Sequence, residues 1–408
     1  MKHAAWLIPS FIGGSGGYRT IFQHINYMSN EYQCDVYVYD SGDYRSEEEV
    51  KARAEKLYGK CRCRFILGHK ISSGKSYDVL VATSWMTADI VHHYPEGGKK
   101  LYFVQDYEPL FYPAGDTYLR AAGTYELGFS HITIGRWLTH KLRENHGADV
   151  AYFDFGADKT IYCYDERIKR ENSICFICQP DKPRRGTGLG LNALALVKKI
   201  RPEVKIYLYG SFHKKYPAFE YTDLGLLSPT QCAKLYNKCQ VGLCISASNP
   251  SRIPFEMMAC GLPVVDIHAE NNLYDYPNNV IVLAKCRAEA LAQAVVNLLD
   301  DASRRNRIRE NALRFMEDRD ICRESLRFTE LVNLLVSGEK ICQKIPQKLY
   351  SDRPVLAEQK LEKTWEILMA EKKTNIWKSL GHNYFIRKVP GIRSLGRLLR
   401  NGYYRGEN

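Results

Sequence analysis

Residues 254–265 read Pro254-Phe255-Glu256-Met257-Met258-Ala259-Cys260-Gly261-Leu262-Pro263-Val264-Val265. The stretch sets one carboxylate at the start of a short helical run, turns at Gly-Leu-Pro and closes in a β-branched strand. Residues 243–246 also have strand character, so the local order is strand, loop, helix, turn, strand. That order belongs to an open α/β sheet, where ligands bind outside the carboxyl ends of the strands. A glutamate whose helix begins there is placed to hold a neutral polyol such as ribose. A glutamate in the first helical turn also suits capping; the Gly-Leu-Pro turn and the strand after it favour the ligand. The loop ahead, Ser248-Asn249-Pro250-Ser251-Arg252-Ile253, is built of small hydroxyls and turn formers. It leaves N–H groups free at a helix start, where an anion gains from the dipole, and Ser251 is the candidate contact.

Three further loops follow buried strands. Asp181-Lys182-Pro183-Arg184-Arg185-Gly186-Thr187 carries three cations that would neutralise a diphosphate leaving group. The sequence does not choose between the two arginines, and a solvated charge run is the bland alternative. Val104-Gln105-Asp106-Tyr107-Glu108-Pro109 puts two acids and the rings of Tyr107, Phe111 and Tyr112 at a strand's carboxyl end. Carboxylates hold hydroxyls and rings stack on sugar C–H faces, so Glu108 and Tyr107 are expected on the acceptor side. Asp106 is placed to take a proton from an acceptor hydroxyl. Gly13-Gly14-Ser15-Gly16-Gly17 lies between a strand and a helix, where Gly14, Gly16 and Gly17 would let backbone N–H groups approach a ligand closely. It opens like a dinucleotide fingerprint, with Asp40 at the end of the next strand, but the third glycine falls on Arg19.

Around these loops the chain alternates strand and helix. Strands are predicted at residues 4–8, 34–39, 79–82, 101–105, 173–178, 205–209, 241–246 and 264–267, with helices at 47–58, 191–200 and 302–335. The fold class that follows is α/β: two Rossmann-like, doubly wound domains facing each other across a cleft, with a basic helical tail. The expected divisions are 1–165, 166–338 and 339–408, the polar stretch 165–172 serving as linker and the run 302–335 closing the second domain. A length of 408 residues suits two full cores, and 45% hydrophobic with 25% charged residues is ordinary for globular proteins. Thirteen cysteines at irregular spacing, many in apolar runs, point to a reducing compartment. Neither Cys61-Arg62-Cys63 nor Cys175–Cys178 makes a convincing metal pair; His69, His92 and His93 are expected at the surface, and no metal site is expected. No stretch approaches the ~18 consecutive apolar residues of a membrane span, so a cytoplasmic, soluble or membrane-peripheral protein is expected.

Together these segments resemble the retaining glycosyltransferases of family 4, which have the GT-B fold, and more closely their bacterial surface-glycan rhamnosyltransferases. The likeness is carried by residues 13–17, 103–113, Gly135-Arg136-Trp137-Leu138, Phe155-Gly156-Ala157-Asp158, Pro183-Arg184-Arg185 and 254–265, within residues 5–335. The run Gln105-Asp106-Tyr107-Glu108-Pro109 is the part tied to the rhamnosyl subgroup. Two departures stand out. Members of family 4 often have two glutamates eight positions apart, and the first falls on Ser248; many also have an arginine near Gln179. The resemblance implies that Glu256 binds the nucleotide ribose, that Lys182, Arg184 and Arg185 hold the diphosphate, and that residues 14–17 pack against the donor. Lys238 is a weaker candidate for a phosphate contact. It further implies a nucleoside diphosphate sugar as donor, dTDP-L-rhamnose foremost, a growing or lipid-linked surface glycan as acceptor, retention of anomeric configuration, and no cofactor or metal. Two other classes stay open: a non-catalytic nucleotide-sugar or glycan-binding protein, and a nicotinamide-dependent oxidoreductase, against which the broken fingerprint and the basic loop of the second domain argue.

Of the formal +12 charge, the segment from Lys372 onward holds nine Lys+Arg against Glu407 alone. Residues 386–400 interleave those cations with Ile386, Val389, Ile392, Leu395, Leu398 and Leu399, a basic amphipathic pattern suited to an anionic membrane on the inner face of the cell. A partner-docking helix and a disordered tail are the alternatives; no recognition module for nucleic acid accompanies it. Flotation with anionic liposomes is expected to carry the full chain upward and leave a chain ending at Lys372 behind. Equal flotation would remove the membrane role.

Overall fold

The computed structural model describes residues 1–11, 15–40, 42, 44–68, 75–95, 97–211 and 219–366. The first half builds a parallel sheet of seven strands: β1 (Lys2–Ile8), β2 (Tyr32–Val38), β3 (Arg64–Leu67), β4 (Val79–Ala82), β5 (Lys99–Val104), β6 (Ser130–Ile134) and β7 (Asp149–Phe153). Their order is β3-β2-β1-β4-β5-β6-β7. The crossover helices are α1 (Gly16–Met28), α2 (Glu47–Tyr58), α3 (Trp85–His92), α4 (Asp116–Gly123) and α5 (Arg136–His146). Alternate side chains of each strand enter two separate cores. Trp6, Val36, Val81 and Phe103 lie in one, and Leu7, Tyr37, Leu80 and Tyr102 in the other. Burial on both faces is why these strands read as continuous apolar runs.

The second half repeats the plan with β8 (Ser173–Ile177), β9 (Lys205–Tyr209), β10 (Thr222–Asp223), β11 (Val241–Leu243), β12 (Val264–Ile267) and β13 (Val282–Ala284), ordered β10-β9-β8-β11-β12-β13. Its helices are α6 (Thr187–Ile200), α7 (Pro229–Lys238), α8 (Arg252–Ala259), α9 (Ala288–Asp300) and α10 (Ala302–Phe315). The two-domain α/β expectation therefore holds. In each sheet the strand order reverses at one point, between β1 and β4 in the first and between β8 and β11 in the second. Those switch points are where an open sheet leaves a crevice for ligands.

The last helix departs from expectation. α11 (Ile321–Ser337) does not close the second lobe; Phe328 on it packs against Trp6 and Phe153 of the first sheet and stacks on His24 of α1 at 4.5 Å. Its apolar stripe fits whichever core lies within reach, and helical periodicity does not say which. Gly156 makes the return possible: a side chain there would meet the Asp320 carbonyl at 2.9 Å. Residues 339–356 then run back along the body, where Gln343 exchanges hydrogen bonds with the Tyr152 backbone and Val355 pairs with Ala284. The chain divides into two units after Leu356. Of the unit 357–408, residues 359–366 are helical, and the basic segment 372–408 lies outside the described residues. Among the described residues no helix is long and apolar enough to cross a membrane.

One buried ion pair joins α8, α11 and the chain between the lobes. Arg252 donates to both oxygens of Glu324 at 2.7 Å, to the Gly156 carbonyl at 2.7 Å and to Thr20 Oγ1 at 3.0 Å. Glu324 also accepts the Gly156 N–H at 2.9 Å. Burial works against the Arg252 charge, but the Glu324 carboxylate outweighs it and the net shift is upward. Glu324→Gln would remove the carboxylate to which the guanidinium is bonded, leaving only the weaker influence of Glu256, and breaking a pair of this kind costs about 3–5 kcal/mol. A urea melt is expected to show that loss; a variant within about 0.5 kcal/mol of wild type would mean that the pair is dispensable.

Candidate functional site

The loops after β8 and β11 flank the switch point of the second sheet. After β8, residues 183–185 form one turn of 3-10 helix and Gly186 starts α6. Gly186 has φ +55, and a side chain there would strike Ile245 at 2.4 Å, so glycine alone lets the basic turn lie against the end of β11. The Ala247 N–H donates to the Arg184 carbonyl at 3.1 Å, tying the two loops together. Lys182, Arg184 and Arg185 crowd this corner. Burial and the two arginines push the Lys182 ammonium below its usual range. Burial and Arg185 do the same to Arg184, with Asp106 opposing. The Nε groups of Arg184 and Arg185 are buried without a hydrogen-bond partner. Mutual repulsion and unmet donors of this kind are relieved by an anion.

Glu256 lies in the second turn of α8, since no acid occupies the first. It therefore does not cap the helix. Burial raises its carboxyl above the ordinary range, while Arg252 and then Arg19 oppose the shift. Ser251 is the helix cap, its Oγ accepting the Ile253 N–H at 3.2 Å. The loop before it is held from below. Asp266, fully buried in β12, accepts the Ser246 N–H at 2.9 Å and the Ile267 N–H at 2.7 Å, and Asn271 donates to the Ser246 carbonyl at 2.7 Å. Sequence reasoning missed this scaffold, although the polar run after β12 was its signal. Gln179, at the position of the missing arginine, holds strand ends together: its Nε2 donates to the Gly210 carbonyl at 3.1 Å.

On the first lobe, Gly16 and Gly17 open α1, and a side chain at Gly17 would lie 3.7 Å from Gln105 at the end of β5. Gly14 lies outside the described residues, as do Gly13 and His69. Asp106 reaches across to the second lobe. Its Oδ1 accepts N–H bonds from Tyr107 and Asn249, both at 2.9 Å. Its Oδ2 accepts the Ser248 hydroxyl at 3.0 Å and lies 3.6 Å from Arg184 Nε. Three hydrogen bonds occupy three of the carboxylate's four lone pairs and the Arg184 guanidinium lies beside the fourth, so an acceptor hydroxyl would compete with that cation for Oδ2. Burial pushes its carboxyl up, with Arg184 opposing.

Two other candidates are placed elsewhere by the fold. Tyr107 turns away into the opposite core, where it stacks on Tyr125 and its hydroxyl meets His146 Nε2 at 2.9 Å. Lys238 ends α7 at the amino edge of the second sheet, paired with Glu171 at 3.1 Å and bonded to the Tyr207 hydroxyl at 3.0 Å. A helix that returns a parallel strand delivers its last residue to the amino edge, away from the ligand side.

Glu108 faces the first switch point. Its Oε2 accepts the Trp85 N–H at 2.9 Å at the start of α3, and the Trp85 indole donates to the Tyr112 hydroxyl at 3.1 Å. Burial raises its carboxyl from the ordinary 4.5 to about 8, the Trp85 N–H opposing. The folded chain therefore holds this proton more tightly than the unfolded chain. The stability it contributes is complete below the ordinary carboxylate range and is lost as pH rises through 8. Each unit of such a gap is worth about 1.4 kcal/mol. Asp266, raised to about 7 by burial, acts in the same direction. His24, lowered well below its usual range by burial and then Arg252, gives the opposite slope below about pH 6.5, which leaves pH 6.5–8.5 as the window. Melting temperature is expected to fall across it in wild type and to fall less in Glu108→Gln. Parallel slopes would refute the assignment.

Comparison with known proteins agrees with this geometry. Residues 172–296 match the family model described as WsaF, C-terminal domain. The O-antigen biosynthesis protein RfbC of Myxococcus xanthus is 33% identical over 312 residues, which take in 70% of this chain and 24% of that protein. The chain thus spans about a quarter of the length of this curated relative. Sucrose-phosphate synthase of Thermosynechococcus elongatus superposes with a TM-score of 0.64 at 13% identity, over 83% of this chain and all of that one. The Anabaena protein HepE, solved in complex with UDP and glucose, superposes with a TM-score of 0.62 at 15% identity, over 81% of this chain and 99% of that one. Likenesses at these identities carry the fold alone, and on two facing Rossmann-like sheets, each with a switch-point crevice, the chain is a protein of the GT-B glycosyltransferase fold.

Proposed function

We propose that this protein is a glycosyltransferase of surface-polysaccharide assembly that moves a sugar from a nucleoside diphosphate donor to a growing or lipid-linked glycan. The observation that carries the reading is the convergence of Lys182, Arg184 and Arg185 beside the second switch point, their ammonium and guanidinium groups crowded and two Nε donors unmet. Negative charge develops on the β-phosphate as the glycosidic bond breaks. Cations fixed beforehand stabilise that charge without reorganisation. Glu256, on the helix that starts beside them, accepts the ribose hydroxyls, and the dipole of α8 favours negative charge at that helix start. Protein cations take the part a metal would play at the leaving group, so transfer is metal-independent.

Of the finer assignments, dTDP-L-rhamnose as donor rests on the run Gln105-Asp106-Tyr107-Glu108-Pro109 and its resemblance to the rhamnosyl subgroup of family 4. Retention of configuration comes from the resemblance to family 4 as a whole, and work at the inner face of the membrane from the basic amphipathic sequence 386–400.

Calorimetry with UDP, GDP and dTDP tests the reading directly. One of them is expected to bind wild type and to lose at least about 10-fold in affinity in Glu256→Ala, which removes hydrogen bonds to a charged group. The Arg184→Ala/Arg185→Ala double variant is expected to slow turnover by about 10²–10³ or more. Absence of binding of all three nucleotides to wild type would overturn the proposal.

A further inference from the structure

Asp106 is an acid of the first lobe whose partners belong mainly to the second. Ser248 and Asn249 supply two of its three hydrogen bonds, and Arg184 is the cation beside it. The surrounding contacts repeat the pattern. Asn249 Nδ2 donates to the carbonyls of Gln105 and Ile134, both at 3.0 Å, so the Ser248–Asn249 turn is seated between the ends of β5 and β6. Phe111, in the 3-10 turn that follows Asp106, lies under the Arg184 guanidinium at 4.3 Å. Arg184 is thus met on its edge by a carboxylate and on its face by a ring, both from across the cleft.

We infer that Asp106 is a positioning residue: from the first lobe it sets Arg184 and the Ser248–Asn249 turn for the diphosphate of the donor. The inference rests on the glycosyltransferase reading above and adds a role for a carboxylate that does not touch the reacting atoms. A flexible arginine binds phosphate only after losing rotamer freedom, and a neighbour that fixes it in advance removes that loss from the binding step. The first lobe thereby completes the donor site of the second, and a correctly set Arg184 requires the two lobes to be together.

Three variants test it: Asp106→Asn, Ser248→Ala and the double change. The amide of Asp106→Asn keeps an oxygen for the Tyr107 and Asn249 N–H groups but removes the charge that faces Arg184. Using whichever of UDP, GDP and dTDP binds wild type, and the matching sugar donor, nucleotide Kd and donor KM are expected to rise about 10-fold, with kcat changed less. Ser248→Ala is expected to raise them by a smaller factor, and the double variant to match Asp106→Asn alone, because both changes break one network. A purely structural role would lower the melting temperature without this split. A fall in kcat of about 10³ or more at unchanged donor KM, with the basic limb of the pH profile lost, would identify a proton acceptor instead. Unchanged constants, or strictly additive effects, would also overturn the inference. Should Asp106→Asn not fold, Ser248→Ala decides alone, since an unchanged donor KM there removes the coupling. Failure of wild type to bind any nucleotide is a different outcome, because it defeats the transferase reading itself.

Discussion

The geometry of the cleft depends on the Arg252–Glu324 pair. Both charges are largely shielded from water, with 17% of the Arg252 side chain and 1% of Glu324 exposed, and such a pair gains little net stability over an apolar packing of the same shape. What it provides is a fixed relation among pieces that are far apart in sequence. Arg252 is the first residue of α8, one turn ahead of Glu256; Glu324 is on α11, the helix that crosses to the first lobe; Gly156 is on the chain between the sheets; Thr20 is on α1. Each donor and acceptor in the cluster has a specific counterpart, so shifting α8 relative to the first lobe would strand a charge in a dry place. The face of the helix that carries Glu256 is set by that requirement.

The same device recurs along the cleft. Asp275 of the second lobe caps α5 of the first, accepting the Arg136 N–H at 2.8 Å and the Trp137 N–H at 3.3 Å. Asp106 of the first lobe accepts N–H and O–H groups from the second. A helix start or a tight turn has N–H groups that its own backbone leaves unpaired, and here the missing acceptors come from the opposite lobe. Two sheets joined by an apolar seam alone would slide; Phe155 stacked on Phe255 at 4.6 Å supplies attraction there but little register. Carboxylates aimed at particular N–H groups supply the register.

How much of this was legible in the sequence depends on the range of the interaction concerned. Helix α2 and strands β4, β9 and β12 fall where apolar runs and turn residues put them, because those signals are local. The positions of the basic turn at 182–185 and of Glu256 beyond the carboxyl ends of β8 and β11 were also legible, since strand order along the chain fixes them. Tyr107 was not: the residue lies past the end of β5, and the turn rather than strand alternation decides which way its ring points. Lys238 was misassigned although its position at the end of a crossover helix put it on the far edge. α11 could not have been assigned to the first lobe from its own residues, because an amphipathic stripe specifies burial and not a partner. Arg252 and Glu324 lie 72 positions apart, and neither has a local pattern that marks it.

The buried acids complete the argument. Glu108, Asp266 and Asp275 are raised by burial to about 8, 7 and 6; Glu108 accepts one backbone N–H and the two aspartates two each, at the mouth of a strand or the start of a helix. Apolar residues at these positions would avoid the desolvation that raises the carboxyls, but would leave those N–H groups without acceptors in places closed to water. The sheet ends must be both open enough to admit a ligand and rigid enough to hold its contacts in place. A carboxyl beneath the loop meets both needs, because it satisfies several donors with one short side chain and leaves the upper face of the loop clear. Stability that declines toward alkaline pH is the consequence of satisfying strand-end and helix-start N–H groups with buried carboxyls.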